Sequence, residues 1–275
     1  MNTIEGVDNQ LLATLTALGD YLEDMVLVGG WVPYIYSLMW PSERPISLRR
    51  TFDVDAAVQA GLPVRGGSRL DAQLERQGYV VHLGGISGPA AQVFVNPENE
   101  DLLDIEFLCP LTGAGQVATL QIQEGVVAQA LRYLNILLDN AIPVARGGQL
   151  RGGHAVKLRI RVPTPGAFIY HRGLAFVERK RPRLRGKDLY YIYEIWTNHP
   201  RLRSDVVGQI ARLRDRYPAT WYRRFRANLE GQFSSDVAEG VLLVSEQSDP
   251  REPEDLAHQR IYQAFRSILE AIPAV

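Results

Sequence analysis

Two short stretches of this chain alternate so strictly that they constrain what surrounds them. In residues 52–58, Phe52, Val54 and Val58 fall on one face and Asp53 and Asp55 on the other. In residues 102–108, Leu103, Ile105 and Phe107 take one face while Asp104 and Glu106 take the other. Period-two alternation is the signature of a strand with one buried face. Both stretches therefore predict strands of a sheet whose open face is acidic. Two aspartates at i and i+2 stand on one face with Cα atoms about 6.5 Å apart. Carboxylates that close repel one another at the edge of a core unless a cation or a donor compensates. A hard cation such as Mg²⁺ takes carboxylate oxygens and leaves positions for substrate phosphates. Asp-x-Asp pairs also occur on plain solvated strand faces, so the pair needs support from elsewhere in the chain.

That support lies upstream. Met25-Val-Leu-Val28 reads as a buried strand, Gly29-Gly30 breaks it, and residues 31–39 read as a helix. Glycines let backbone approach a phosphate closely, and a helix N-terminus favours anions; the same pattern also fits an ordinary strand-to-helix turn. Further strands are predicted at 79–83 and 92–95, with turns rich in Gly, Pro and Asn between them. Leu11, Leu12, Leu15, Leu18 and Leu22 form an apolar stripe for a helix over 8–23, with Asp8 as its cap. Ser68-x-x-Asp71 reads as a capping box for a helix to about residue 77. Residues 112–150 read as a helix plus loops. A last alternating strand covers 156–162, with Lys157, Arg159 and Arg161 on its polar face.

Beyond it the period changes. Thr164-Pro165 is a helix start, and helical patterns follow near 165–181, 187–198, 201–216, 218–230, 234–246 and 254–272. The fold class is therefore α+β: a mixed sheet with helices, followed by an α-helical domain. Gly147-Gly148 and Gly152-Gly153 place the boundary in 145–153, giving domains of 1–150 and 151–275.

Charge divides the chain the same way. Residues 1–150 hold 8 Lys/Arg against 17 Asp/Glu, residues 151–230 hold 19 against 6, and residues 231–275 hold 3 against 8. The net charge of -1 conceals this segregation. A basic middle segment suits an anionic partner, either nucleotide phosphates or nucleic acid; it also suits a solvated or internally paired face. The single cysteine, Cys109, excludes an internal disulfide and any multi-cysteine metal site. The five histidines show no ligand spacing. No Gly-x-x-x-x-Gly-Lys loop, Gly-x-Gly-x-x-Gly turn, His-Glu-x-x-His helix or Gly-x-Ser-x-Gly elbow is present. The longest uncharged apolar run, residues 25–40, is too short to span a bilayer. A cytoplasmic protein with no membrane partner is expected.

Taken together, a strand ending in Gly29-Gly30, a helix, then Arg49-Arg-Thr-Phe-Asp-Val-Asp55, then Asp104 on a second strand resembles the nucleotidyltransferase fold. The tail adds Ala167-Phe-Ile-Tyr-His-Arg-Gly-Leu-Ala175 and Lys187-Asp-Leu-Tyr-Tyr-Ile-Tyr193, which are similar to the helical segment of the AbiEii/AbiGii-type toxin nucleotidyltransferases. Two positions depart from that family: Arg172 stands for its helical lysine and Tyr191 for its second tail acid. The resemblance implies a transferase moving an NMP from an NTP to an acceptor such as tRNA, another RNA or a protein. It implies Mg²⁺ or Mn²⁺ held by the catalytic residues Asp53, Asp55 and Asp104, with Glu106 as a further acid. It implies nucleotide binding by Gly29, Gly30, Arg50, Thr51, Arg172, Lys187 and Asp188, and a cognate antitoxin as partner. Arg172, Lys187 and Asp188 fit triphosphate binding or a purely structural anchor equally well. Two alternatives stay open: a catalytically silent binding module on the same fold, and a small-molecule (antibiotic) nucleotidyltransferase.

Overall fold

A computed structural model describes all residues except 1–3, 45–52, 85–90, 112, 114–118, 152, 248–253 and 275. The chain divides into two compact units: Met1–Tyr34 with Ser47–Pro163, and Ile35–Ile46 with Thr164–Val275.

The first unit opens with α1 (Ile4–Leu18), continued by a tight 3-10 turn over Gly19–Asp24. The leucine stripe is buried, as its spacing predicts, but Asp8 is not the cap. It lies inside the helix, where its carboxylate pairs with Arg146 and accepts the Tyr34 hydroxyl at 2.8 Å. Strand β1 (Met25–Val28) leads through the Gly29–Trp31 turn into α2 (Val32–Met39), which from Ile35 onward belongs to the second unit. Strand β2 (Asp53–Val58), helix α3 (Leu70–Arg76) and strands β3 (Val80–Gly84), β4 (Ala91–Val95) and β5 (Asp104–Pro110) follow. The predicted capping box at α3 is absent. Arg69 is its N-cap residue, Ser68 donates to the Arg69 carbonyl, and Asp71 is engaged by Arg69 and its own first turn.

The helix expected within 112–150 is mostly strand. Two strands, β6 (Thr119–Gln123) and β7 (Val126–Leu131), form an antiparallel hairpin ahead of a short α4 (Asn135–Asp139). Then β8 (Ala141–Gln149) pairs antiparallel with β9 (Ala155–Pro163) as a separate two-stranded ribbon. The glycines at 147, 148 and 153 thus belong to this ribbon and its turn, not to a linker, while Gly152 lies outside the described residues. The break between units falls after Pro163, where β9 ends, rather than within 145–153.

The main sheet is mixed, in the order β1-β2-β5-β4-β3, with β7 running beside the far end of β5. Its first face rests on α1: Leu15, Leu18 and Leu22 share the lining of one small gap with Leu27, Val54 and Ala56. Its second face is partly covered by α4, through a cluster of Val26, Val28, Ala57, Leu108, Leu134, Leu137 and Leu138.

The second unit is helical: α5 (Pro165–Ala175), α6 (Pro182–Asn198), α7 (Arg203–Arg216), α8 (Ala219–Gln232), α9 (Glu239–Ser245) and α10 (Glu254–Ala271). As predicted, the Thr164 side chain caps α5 by accepting from the Ala167 amide, with Pro165 at the first helical position. Residues 165–174 of α5 are all buried. A helix buried on every side is the centre of its unit, and here it takes the charged Arg172 inside with it. No helix among the described residues is long and apolar enough to cross a membrane.

Candidate active site

The sequence places its acids on two strands, and the sheet sets those strands side by side. Strands β2 and β5 run parallel in a register that matches Asp53 to Asp104 and Asp55 to Glu106. Neighbouring strands lie about 4.8 Å apart and matched residues point the same way. All four acids therefore share one face of the sheet and are half-buried. On the opposite face Val54 and Ile105, also matched, are fully buried. The α4 cluster begins one step further along the acid face, at Ala57 and Leu108, so apolar packing walls the patch on that side.

The glycine turn closes on the same patch. Strand β1 pairs antiparallel with β2 so that Val28 lies opposite Asp55, which brings Gly29 against the acid. Gly29 has φ +75, and a β-carbon built there would stand 1.9 Å from Asp55 Oδ2. Only glycine satisfies both the backbone and the space. Gly29 is buried and Gly30 half-buried. The fully buried Trp31 donates its indole N–H to the Asp53 carbonyl at 2.9 Å, pinning the start of β2. The entry to β5 is pinned as well: the Leu103 amide donates to Thr14 Oγ1 at 2.8 Å, and the Tyr79 hydroxyl donates to the Leu103 carbonyl at 3.0 Å.

Burial pushes the Asp104 carboxyl above its ordinary range, and the neighbouring Asp53 carboxylate pushes it further; His82 partly opposes them. Sequence reasoning passed over His82, which is matched through Val93 to Glu106 and so belongs to the acid face. The signal available was its place in β3, two residues from Val80 and Gly84 on a single face. Trp31, Thr14 and Tyr79 were also missed, because their contacts here join segments distant in sequence.

The acids form two matched pairs rather than one cluster: among the described residues no three His, Cys, Asp or Glu side chains are grouped in the manner of a metal site. The donor chemistry nonetheless suits Mg²⁺ or Mn²⁺. Carboxylate oxygens are their preferred protein ligands, and such ions complete their shells with water and substrate phosphates. Asp53, Asp55 and Asp104 could hold such an ion, with Glu106 beside them. Of the expected nucleotide-binding residues, Arg50 and Thr51 lie outside the described residues.

Arg172, Lys187 and Asp188 lie in the helical unit. Arg172 on α5 and Asp188 on α6 are both buried and bonded to each other, and Arg179 Nε donates to the second Asp188 oxygen at 3.0 Å. The Arg172 guanidinium also lies over the Phe168 ring, 4.9 Å from its centroid, and 5.6 Å from that of Tyr191. Burial would raise the Asp188 carboxyl, but Arg172 and Arg179, with His171, hold it below the usual carboxylate range. Arg172 and Asp188 thus neutralise each other. Lys187 is half-buried, its amine 5.9 Å from the Tyr191 ring centroid.

No curated protein and no solved structure matches the chain. A family model described as Nucleotidyltransferase matches residues 9–208, a span that takes in the glycine turn, both acid-bearing strands and the buried Arg172–Asp188 pair. The chain belongs to that nucleotidyltransferase family and is an enzyme of nucleotidyl transfer.

Proposed function

We propose that this protein transfers an NMP from an NTP to a hydroxyl of a macromolecular acceptor, with Asp53, Asp55 and Asp104 holding Mg²⁺ or Mn²⁺. The observation that carries this reading is the matched register of Asp53 with Asp104 and Asp55 with Glu106, beside a glycine turn that admits no side chain. In the reaction the acceptor oxygen bonds to the α-phosphorus, the α–β phosphoanhydride breaks and pyrophosphate leaves. The hydroxyl proton passes to Asp104 or Glu106, the acids on β5. Gly29 and Gly30 let backbone amides approach the β- and γ-phosphates. Bound metal supplies charge neutralisation at the triphosphate. In the helical unit, the mutually bonded Arg172 and Asp188 hold α5 and α6 in place.

The narrower proposal is a toxin of the AbiEii type, acting in the cytoplasm and neutralised by a cognate antitoxin. It is supported by the likeness of residues 167–175 and 187–193 to that family. Expression should arrest growth, Asp53→Asn should relieve the arrest, and normal growth with active enzyme would remove the toxin role.

The test of transfer is direct. Wild type and Asp53→Asn are incubated with each labelled NTP, Mg²⁺ or Mn²⁺, and total RNA or lysate protein. Label should enter an acceptor with wild type only, and only with metal. Label transfer surviving in Asp53→Asn refutes the assignment of Asp53. Tight NTP binding by wild type with no transfer to any acceptor would favour a silent binding module.

A further inference from the structure

The β8–β9 ribbon has two unlike faces. Val144, Ile160 and Val162 are buried, and Arg146 on the same face is spent on Asp8. The opposite face carries Pro143, Ala145, Gly147 and Gln149 from β8 and Ala155, Lys157, Arg159 and Arg161 from β9; all are exposed except the half-buried Arg161. The register sets Lys157 opposite Gly147, Arg159 opposite Ala145 and Arg161 opposite Pro143. Three cations therefore stand in a row at i, i+2 and i+4, each facing a residue with no charge. The two strands themselves place no carboxylate on this face.

A fold gains from opposite charges across a ribbon and loses from like charges in a row, so this arrangement does not serve the ribbon's own stability. Arg161 has one bond within the fold, to the Leu138 carbonyl at 3.4 Å. Among the described residues Lys157 and Arg159 have no ion-pair partner.

We propose that this face is where the phosphodiester backbone of a nucleic-acid acceptor lies. The three cations span about 13 Å at about 3.3 Å per residue. That row is longer than a single triphosphate and suits an extended polyanion. The small residues opposite leave the ribbon flat, so a backbone can lie along it. Contacts of this kind position a strand without reading its bases. The binding claim stands by itself; only the word acceptor rests on the transfer reaction proposed above.

The experiment uses the full chain and a short fluorescent single-stranded RNA, the same sequence as DNA, and a labelled NTP, followed by anisotropy across a salt series. The variants are Lys157→Gln with Arg159→Gln, and separately Ala145→Glu, which adds an acid to the exposed face while keeping every cation. Both should keep the wild-type Tm. RNA affinity should fall at least tenfold in each. The slope of log K against log salt should shrink by about 1.4 in the double variant, at about 0.7 per phosphate contact on a single strand. Equal losses on RNA and DNA mean recognition of the phosphates alone; a larger loss on RNA adds the 2′-hydroxyl; both outcomes support the proposal. Wild-type RNA affinity in the variants, a parallel loss of NTP affinity, or equal competition by polyglutamate would overturn it. If wild type binds RNA through this face yet transfers no label, the transfer reading fails and the binding face stands.

Discussion

Replacing Gly29 by alanine tests the coupling between the glycine turn and the acid pair. Two costs arise. The first is conformational: Gly29 sits at φ +75, where an L side chain is disfavoured by about 1–2 kcal/mol. The second is steric, because the new β-carbon would lie 1.9 Å from Asp55 Oδ2 and 3.0 Å from Asp55 Cβ. Overpacking of that kind costs about 1–3 kcal/mol. The two together predict a loss of about 2–5 kcal/mol, together with displacement of the Asp55 carboxylate and loss of nucleotide transfer. Gly61→Ala is the matched control, since Gly61 has φ +77 with nothing within 4 Å of a built β-carbon. It should show the conformational cost alone. Asp55→Ala removes the oxygen that clashes, so the double variant should recover about 1–3 kcal/mol relative to the sum of the single changes. Urea unfolding of the four proteins measures the cycle. A Gly29→Ala loss no larger than that of Gly61→Ala, or no recovery with Asp55→Ala, would refute the placement of Asp55 against the turn.

Two further predictions concern the helical unit. Arg172→Met leaves Asp188 buried with Arg179 as its remaining close partner, and breaking a buried pair from one side costs about 3–5 kcal/mol; a urea midpoint within error of wild type would show that the pair contributes nothing. Because the folded Asp188 carboxyl lies below its usual range, the stability it contributes is complete above the unfolded value of about 3.9 and is lost as pH falls through the lower folded value. Asp188→Asn should therefore flatten the acid limb of a pH–stability curve, and an unchanged acid limb would contradict this.

What the sequence disclosed, and what it withheld, follows from the range of each interaction. The acid faces of 52–58 and 102–108, the glycine break after Val28 and the start of α5 are local patterns, legible within a few residues. The parallel match of Asp53 with Asp104 joins positions far apart in the chain, and no period announces it. The ribbon strand β8 was hidden because Pro143, Gly147 and Gly148 are poor strand formers in isolation; the partner β9 supplies the pairing that overrides them. Residues 119–131 lack strict alternation at Gln123, whose buried side chain accepts from the Leu70 amide at 2.6 Å and donates to the Leu62 and Pro63 carbonyls. Arg172 and Asp188 offered charges suited to a phosphate. Their mutual burial depends on how α5 packs on α6, which the spacing of residues along either helix does not reveal.

The packing of the sheet also explains how a self-repelling patch persists. Asp53 and Asp104 repel each other, which adds to the effect of burial in pushing the Asp104 carboxyl up, and either could relax by moving to the other face. A shift of β2 or β5 by one residue would do this, but it would expose Val54 or Ile105 and bury a carboxylate in its place. Those two side chains are fully buried against the α1 side of the sheet, and burying each is worth about 1.5–3 kcal/mol. Trp31 and Thr14 further pin the two strand entries by hydrogen bonds. The core thus holds Asp53 and Asp104 in opposition; His82 offsets part of the repulsion, and a proton or a cation brought to the open face would relieve more of it. Asp53→Asn removes one side of the repulsion, so in the absence of divalent metal it should unfold at a higher urea concentration than wild type. A lower midpoint would mean that Asp53 is already compensated within the fold, and that the patch does not call for a cation.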